Sequence, residues 1–292
     1  MRADLDTLLI AVYCAACALF PAVPASRRGR PELISDNELL CLMVAQMLLQ
    51  APSERRFLCI AHWRLRHLFP YLPSQSRYNE RCRRLVPKLT LLWKAIASET
   101  LGAGDEFRLL DTTPVPCGQS IQTTRTSELA PWAGFGYCPA HSRRYWGFKL
   151  VLLCAPDGTI VDFDLVAANT PEREAALALL QANEIDNETV ISDKGIAGTE
   201  FENAVAELGA LLLRPSRKDE PDRPNPPTGW IRQRIESIID NLKDQLLLER
   251  HGGRTPAGLL ARITARILAL CACINLNQRL GLNGRSLTAY AH

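Results

Sequence analysis

The chain has 292 residues, 47% of them hydrophobic and 22% charged. That composition is ordinary for a globular protein and excludes a small disulfide-held scaffold, and the length allows one large domain or two with separate cores. Net charge is only +3, so the overall balance selects no partner.

The distribution of charge says more. Residues 1–104 carry 14 Lys+Arg against 8 Asp+Glu, and the rest of the chain carries 20 against 23. Nine of the basic residues lie between Ser53 and Lys88, with only two acidic ones among them. A basic front half joined to an acidic back half suits a polyanion-binding module beside a carboxylate site. A solvated basic helix face is the simpler alternative. The ten cysteines include a Cys14-x-x-Cys17 pair, but no second pair or nearby histidine completes a zinc site. Structural thiols are expected there and at Cys271 and Cys273, in a reducing, cytoplasmic compartment. The apolar run from Leu8 to Phe20 is short for a membrane span and reads as a core helix.

Ser35 or Asp36 can cap a helix that continues through Met47, and Glu38 sits at the third position after Ser35, the spacing of a capping box. Pro52 and Ser53 open a second helix, with Arg55, Arg56, Arg64 and Arg66 outward and Phe57, Ile60 and Trp63 as its apolar side. A third helix is predicted from about Tyr78 to Thr100, carrying Arg81, Arg83, Arg84 and Lys88. Helices with clustered arginines suit DNA docking. A short strand, Phe107 to Leu110, ends at Asp111 and is stopped by Pro114 and Pro116. A loop-rich stretch follows. Tyr145 to Cys154 and Ile160 to Val166 form a hairpin about the turn Ala155-Pro156-Asp157-Gly158-Thr159. Thr170 caps a helix from Pro171 to Ala182. A strand from Thr189 to Ser192 ends at Asp193, Phe201 to Leu208 is helical, Ala210 to Leu213 is a strand, and Ser216 to Gly229 is a loop. The chain is helical from Trp230. This order predicts a mixed α/β sheet of the ribonuclease-H-like kind over residues 105–292, preceded by a helical, basic, DNA-binding domain over 1–104.

Phosphodiester chemistry needs a strong nucleophile and neutralisation of a charged transition state, which two divalent ions ~4 Å apart supply. Hard carboxylate oxygens suit such ions. Asp111 and Asp193 each follow an apolar strand, where the carboxyl ends of parallel strands meet in one crevice. Glu236 sits on a helix whose stripe is Ile231, Ile235, Ile238, Ile239, Leu242 and Leu246. At ~100° per residue, Arg232 and Lys243 share its face. Singly, each of these is equally a cap, a turn or a surface ion pair.

Together the residues resemble the DDE transposases of bacterial insertion sequences, in particular the group called insertion sequence family 982. That group carries Tyr-x2-Arg-x3-Glu-x6-Lys on its glutamate helix. Arg232, Glu236 and Lys243 reproduce the last three positions, and Gly229 stands where the tyrosine is expected. Asp111-Thr112-Thr113-Pro114-Val115 is similar to the first aspartate segment and Asp193-Lys194-Gly195-Ile196 to the second. The segment Tyr145 to Leu150, the hairpin and Ala167-Ala168-Asn169 resemble the stretch between them. Leu33 to Leu85 and the tail Glu249-Arg250-His251-Gly252 extend the resemblance over most of the chain.

The resemblance implies a ribonuclease-H-like catalytic domain in which Asp111, Asp193 and Glu236 hold two Mg²⁺ ions, with Mn²⁺ able to substitute. It implies cleavage at terminal inverted repeats, strand transfer into target DNA, and a homodimer or larger assembly that pairs two ends. Arg232, Lys243, Arg143, Arg144 and Lys149 are expected on DNA near the cut. Arg55, Arg56, Arg81 and Arg84 are expected at the ends, and Trp146 either on a base or in the core. A ribonuclease-H-like nuclease without strand transfer, and a non-catalytic repressor derived from a transposase, fit the same residues.

Overall fold

The computed structural model describes residues 3–21, 32–138, 142–196, 198–216 and 229–291, with the backbone alone for residues 229–232. The chain divides into two compact units: Met1–Thr100 with Asn241–His292, and Leu101–Asp240. The division expected at residue 104 put the last helices with the catalytic domain. Instead they pack on the first helices.

The first unit holds α1 (Leu5–Leu19), α2 (Asp36–Leu48), α3 (Glu54–Arg64), α4 (Gln75–Arg84), α5 (Val86–Ser98) and α10 (Pro256–Arg279). Ser35 and Glu38 form the expected capping box, the Ser35 hydroxyl accepting from Glu38 N and the Glu38 carboxylate from Ser35 N. The single helix expected from Tyr78 to Thr100 is two. Pro87 lacks an N–H and its ring crowds the carbonyl four residues back, so the helix breaks at Leu85 and Pro87 starts α5. The 24-residue α10 is apolar and long enough to cross a membrane, but most of it is buried, packed against α1, α2, α4 and α5. The apolar core is thus built around one helix that is hydrophobic on nearly every side.

Several buried polar groups inside this unit are paired. Glu54 pairs with Arg262 and accepts from Asn79. Arg266 is fully buried and donates to the carbonyls of Leu246 and Leu247. Burial pulls its pKa down to about 9, still charged at neutral pH. Asp36 accepts from Arg81 and Lys88, both at 2.7 Å.

The second unit is a six-stranded mixed sheet: β1 (Phe107–Gly118), β2 (Gly134–Cys138), β3 (Arg143–Cys154), β4 (Ile160–Ala167), β5 (Thr189–Ser192) and β6 (Leu211–Leu213). The order is β2-β3-β1-β5-β6. β4 lies on the same edge of β3 as β2, beside its second half. Pairs involving β5 are parallel and the others antiparallel. The predicted hairpin closes as read, with Ala155 N donating to Thr159 O and Gly158 at φ +104°. The helix α6 (Ile121–Thr126) and strand β2 fall in the stretch read as loop.

β1 does not stop at Asp111. It runs through both prolines to Gly118, paired with β3 apart from a bulge at Cys117. β5 ends at Ser192, so β1 has no neighbour on that side from there on. Pro114 and Pro116, two residues apart, lack their N–H on the same edge. A proline on an open strand edge breaks no ladder bond.

Alternation gives the sheet two faces. Leu110, Val151, Leu153 and Val190 are buried on one, under α7 (Glu172–Gln181) and α8 (Thr199–Glu207). Leu109, Asp111, Ile191 and Leu152 belong to the other.

A Cβ on Gly147, at φ +153°, would stand 2.3 Å from the carbonyl oxygen of Val115 across the β1–β3 ladder. Gly147→Ala is expected to lower unfolding free energy by about 2 kcal/mol or more, read by chemical denaturation. At Asp36, burial alone would raise the pKa, but hydrogen bonds from Lys88 and Arg81 outweigh it and hold it below the ordinary 3.8. A lowered carboxyl pKa gives stability that is complete above the unfolded value and lost as pH falls through the folded one. The stability advantage of the natural chain over Asp36→Asn is therefore expected to be constant above about pH 5 and to shrink below about pH 4.

Candidate active site

The parallel ladder of β1 and β5 pairs Leu109 with Ile191 and Leu110 with Ser192. Asp111 is the next residue on β1, and Asp193 is the first residue after β5. They are therefore neighbours across the ladder, on the face away from α7 and α8. Their register is fixed by Leu110 and Val190, which are buried on the opposite face; a slip of one residue would expose that pair and turn both aspartates inward. Each aspartate has one oxygen held by the next amide, Asp111 by Thr112 N at 2.7 Å and Asp193 by Lys194 N at 2.6 Å. This fixes the carboxylate planes.

The third carboxylate arrives on α9 (Gly229–Asp240), which packs against β1. Ile235, Ile238 and Ile239 are buried, and Glu236 is exposed at the edge of that stripe. Arg234 donates to the Pro156 carbonyl at 2.7 Å and ties the helix to the β3–β4 turn. Asp111, Asp193 and Glu236 line one crevice with Leu109, Leu110, Ile191, Ser192 and Ile235. Its volume is about 10 Å³, the space of about one water. Such a crevice suits ions and a substrate lying across its mouth, not an enclosed small molecule.

The donor set is hard and anionic, as Mg²⁺ and Mn²⁺ require. Among the described residues, no three His, Cys, Asp or Glu side chains are already grouped as the shell of one metal ion. Carboxylates ~4 Å apart repel by about 4 kcal/mol per pair at an effective dielectric of ~20, so drawing all three together requires compensating positive charge.

Several expected residues stand elsewhere. Lys149 pairs with Pro114 on β1, three positions beyond Asp111, and so lies on the opposite face of the sheet. There it donates to Thr170 O at 2.9 Å and faces Glu172 at 3.7 Å, which removes it from the crevice. Glu172, unassigned from sequence, also accepts from the Thr112 hydroxyl. A lysine inside an apolar strand was the signal that a carboxylate must meet it. Arg81 is 7% exposed and bound to Ile34 O, Asp36 and Glu32, so it braces α2 rather than offering charge to a partner. Trp146 is 4% exposed, a core position. Lys243 lies beyond Asp240, in a π-helical turn (Asn241–Gln245) where Leu246 N bonds back five residues to Asn241 O. The regular α-helical angle that set Lys243 beside Glu236 does not hold there. The side chain of Arg232 lies outside the described residues. Arg55, Arg56, Arg143 and Arg144 are exposed, as is Arg84, beside Glu80. Trp63, read as apolar packing, is 86% exposed.

The family model of the transposase DDE domain matches residues 102–272. The chain belongs to that family. The match spans β1, β5 and α9, the three elements that carry Asp111, Asp193 and Glu236. Comparison with curated proteins finds no match. Among solved structures, the chain has a likeness to a piggyBac transposase synaptic complex with hairpin DNA, at 11% identity and a TM-score of 0.36. The likeness covers 76% of this chain and 52% of that one, about half its length.

Proposed function

We propose that this chain is a DNA transposase that binds the terminal inverted repeats of an insertion sequence, cuts at their ends and joins the freed 3′-hydroxyl to target DNA. The observation that carries the reading is the convergence of Asp111, Asp193 and Glu236 on one crevice, within a chain of the transposase DDE domain family. The Arg-x3-Glu-x6-Lys spacing supports membership of the insertion-sequence group named above, and the mixed sheet supports a ribonuclease-H-like catalytic domain.

In this reading Asp111, Asp193 and Glu236 are ligands for two Mg²⁺ or Mn²⁺ ions. Divalent ions there would supply Lewis-acid activation of the attacking oxygen and neutralise the leaving oxygen. Asp111, Asp193 and Glu236 would hold such ions jointly, so no single ion would need all three carboxylates. Asp111 and Asp193, oriented by the amides of Thr112 and Lys194, present fixed oxygen donors on adjacent strands. Glu236, on a helix rather than a strand, closes the third side. The nucleophile is water for cutting and a DNA 3′-hydroxyl for joining, so no covalent protein–DNA intermediate forms. The exposed arginines Arg55, Arg56 and Arg84 give the helical unit a basic surface for the DNA ends. Synapsis of two ends calls for at least a dimer.

Purified protein is tested with a DNA fragment carrying the element's terminus and with a pre-cut end bearing a 3′-hydroxyl. The natural chain is expected to cut the first and join the second, and chelation of divalent ions should abolish both. Asp193→Asn and Glu236→Gln are expected to lose both steps by several orders of magnitude while retaining end binding. Cutting without joining would identify a nuclease, and full activity in Asp193→Asn would overturn the site.

A further inference from the structure

A second feature of the sheet lies away from the carboxylates. β2 pairs with the first half of β3, opposing Phe135 to Trp146 and Tyr137 to Arg144. Residues directly opposite share a face, so Phe135, Tyr137 and Arg144 form one surface. Phe135 is 68% exposed and Tyr137 57%. Large rings held rigidly in solvent on a sheet are not required by any packing inside the unit. Beside them opens a groove of about 300 Å³, lined by Arg143, Arg144, Tyr145, Phe135, Gln119 and Ser120 among others. Among the described residues, no acidic side chain lines it. Neither arginine has an ion-pair partner among the described residues. Burial pushes the Tyr145 hydroxyl up to about 12, so it remains a neutral donor. Gly136 leaves room for the Tyr145 ring, which a Cβ there would meet at 2.8 Å.

Exposed rings with flanking guanidinium groups and no carboxylate match one chemistry: bases that are unstacked, on a backbone that is anionic. Duplex DNA offers the phosphates but hides the ring faces. We propose that this surface is a platform for an unpaired DNA strand, with Phe135 and Tyr137 stacking on bases, Arg144 beside them meeting phosphates and Arg143 meeting the backbone from the adjoining groove. The proposal rests on the reading of the chain as a DNA-acting transposase. Position supports it. Arg144, Trp146, Phe148, Leu150 and Leu152 alternate along β3, and Leu152 opposes Asp111. The platform and the carboxylates therefore occupy the same sheet face. From Leu152 to Arg144 is roughly 27 Å along the strand.

The test is equilibrium binding without divalent ions, so that it is independent of the metal reading. The probes are a fluorescent oligo(dT) strand and a blunt, mixed-sequence duplex of equal length. Phe135→Ala with Tyr137→Ala is expected to weaken oligo(dT) binding roughly tenfold per ring and to leave duplex binding and the melting temperature unchanged. Phe135→Trp should restore binding to a Phe135→Ala chain's lost step, because any aromatic face serves. Arg143→Gln with Arg144→Gln should weaken both probes and flatten the salt dependence for oligo(dT) by about 1.4 in the log–log slope. If the ring variants bind oligo(dT) as the natural chain does, or lose duplex binding equally, the platform is wrong while cutting and joining still decide the transposase reading separately. If the natural chain binds neither probe, the platform is also wrong.

Discussion

The structure depends most on the parallel pairing of β1 with β5 at one register. Leu109–Ile191 and Leu110–Ser192 set the rungs, and the residues that follow Leu110 and Ser192 are both aspartates. Because side chains alternate with period two, burying Leu110 and Val190 under α7 and α8 forces Asp111 and Asp193 onto the other face. The hydrophobic core of the α/β unit is therefore what holds two like charges side by side. Moving either strand by one residue would cost the burial of several apolar side chains, about 1.5–3 kcal/mol each.

The same alternation sorts the remaining charged groups. Lys149 and Glu172 meet on the α7 face, where a lysine in an apolar strand needs a carboxylate for partial burial to be tolerable. On the crevice face, α9 brings Glu236, held in place by buried isoleucines and by the Arg234 bond to Pro156. The aromatic surface on β2 and β3 continues that face. One sheet thus keeps its structural ion pairs on one side and its acidic and basic-aromatic surfaces on the other.

Much of this was legible in the residues. The capping box at Ser35, the hairpin about Asp157-Gly158, the short strand before Asp193 and the isoleucine stripe beside Glu236 all appear where local chemistry put them. What escaped depends on partners distant in sequence. Pro114 and Pro116 end a central strand but not an edge, and nothing local reveals that β5 stops at Ser192. Phe135 and Tyr137 alternate with glycines in a stretch that resembles a loop until β3 pairs with it. Arg81 resembles its exposed neighbours Arg83 and Arg84, and only the fold buries it against Asp36. Pro87 was a local signal, and it marks the break between α4 and α5.

The central claim is that Asp111, Asp193 and Glu236 share divalent cations. Anomalous diffraction from crystals grown with Mn²⁺ tests it directly. The account predicts two manganese peaks in the crevice, ~4 Å apart, each within coordination distance of oxygens from these three side chains. Manganese bound only elsewhere, with the three carboxylates parted and uncoordinated, would contradict it.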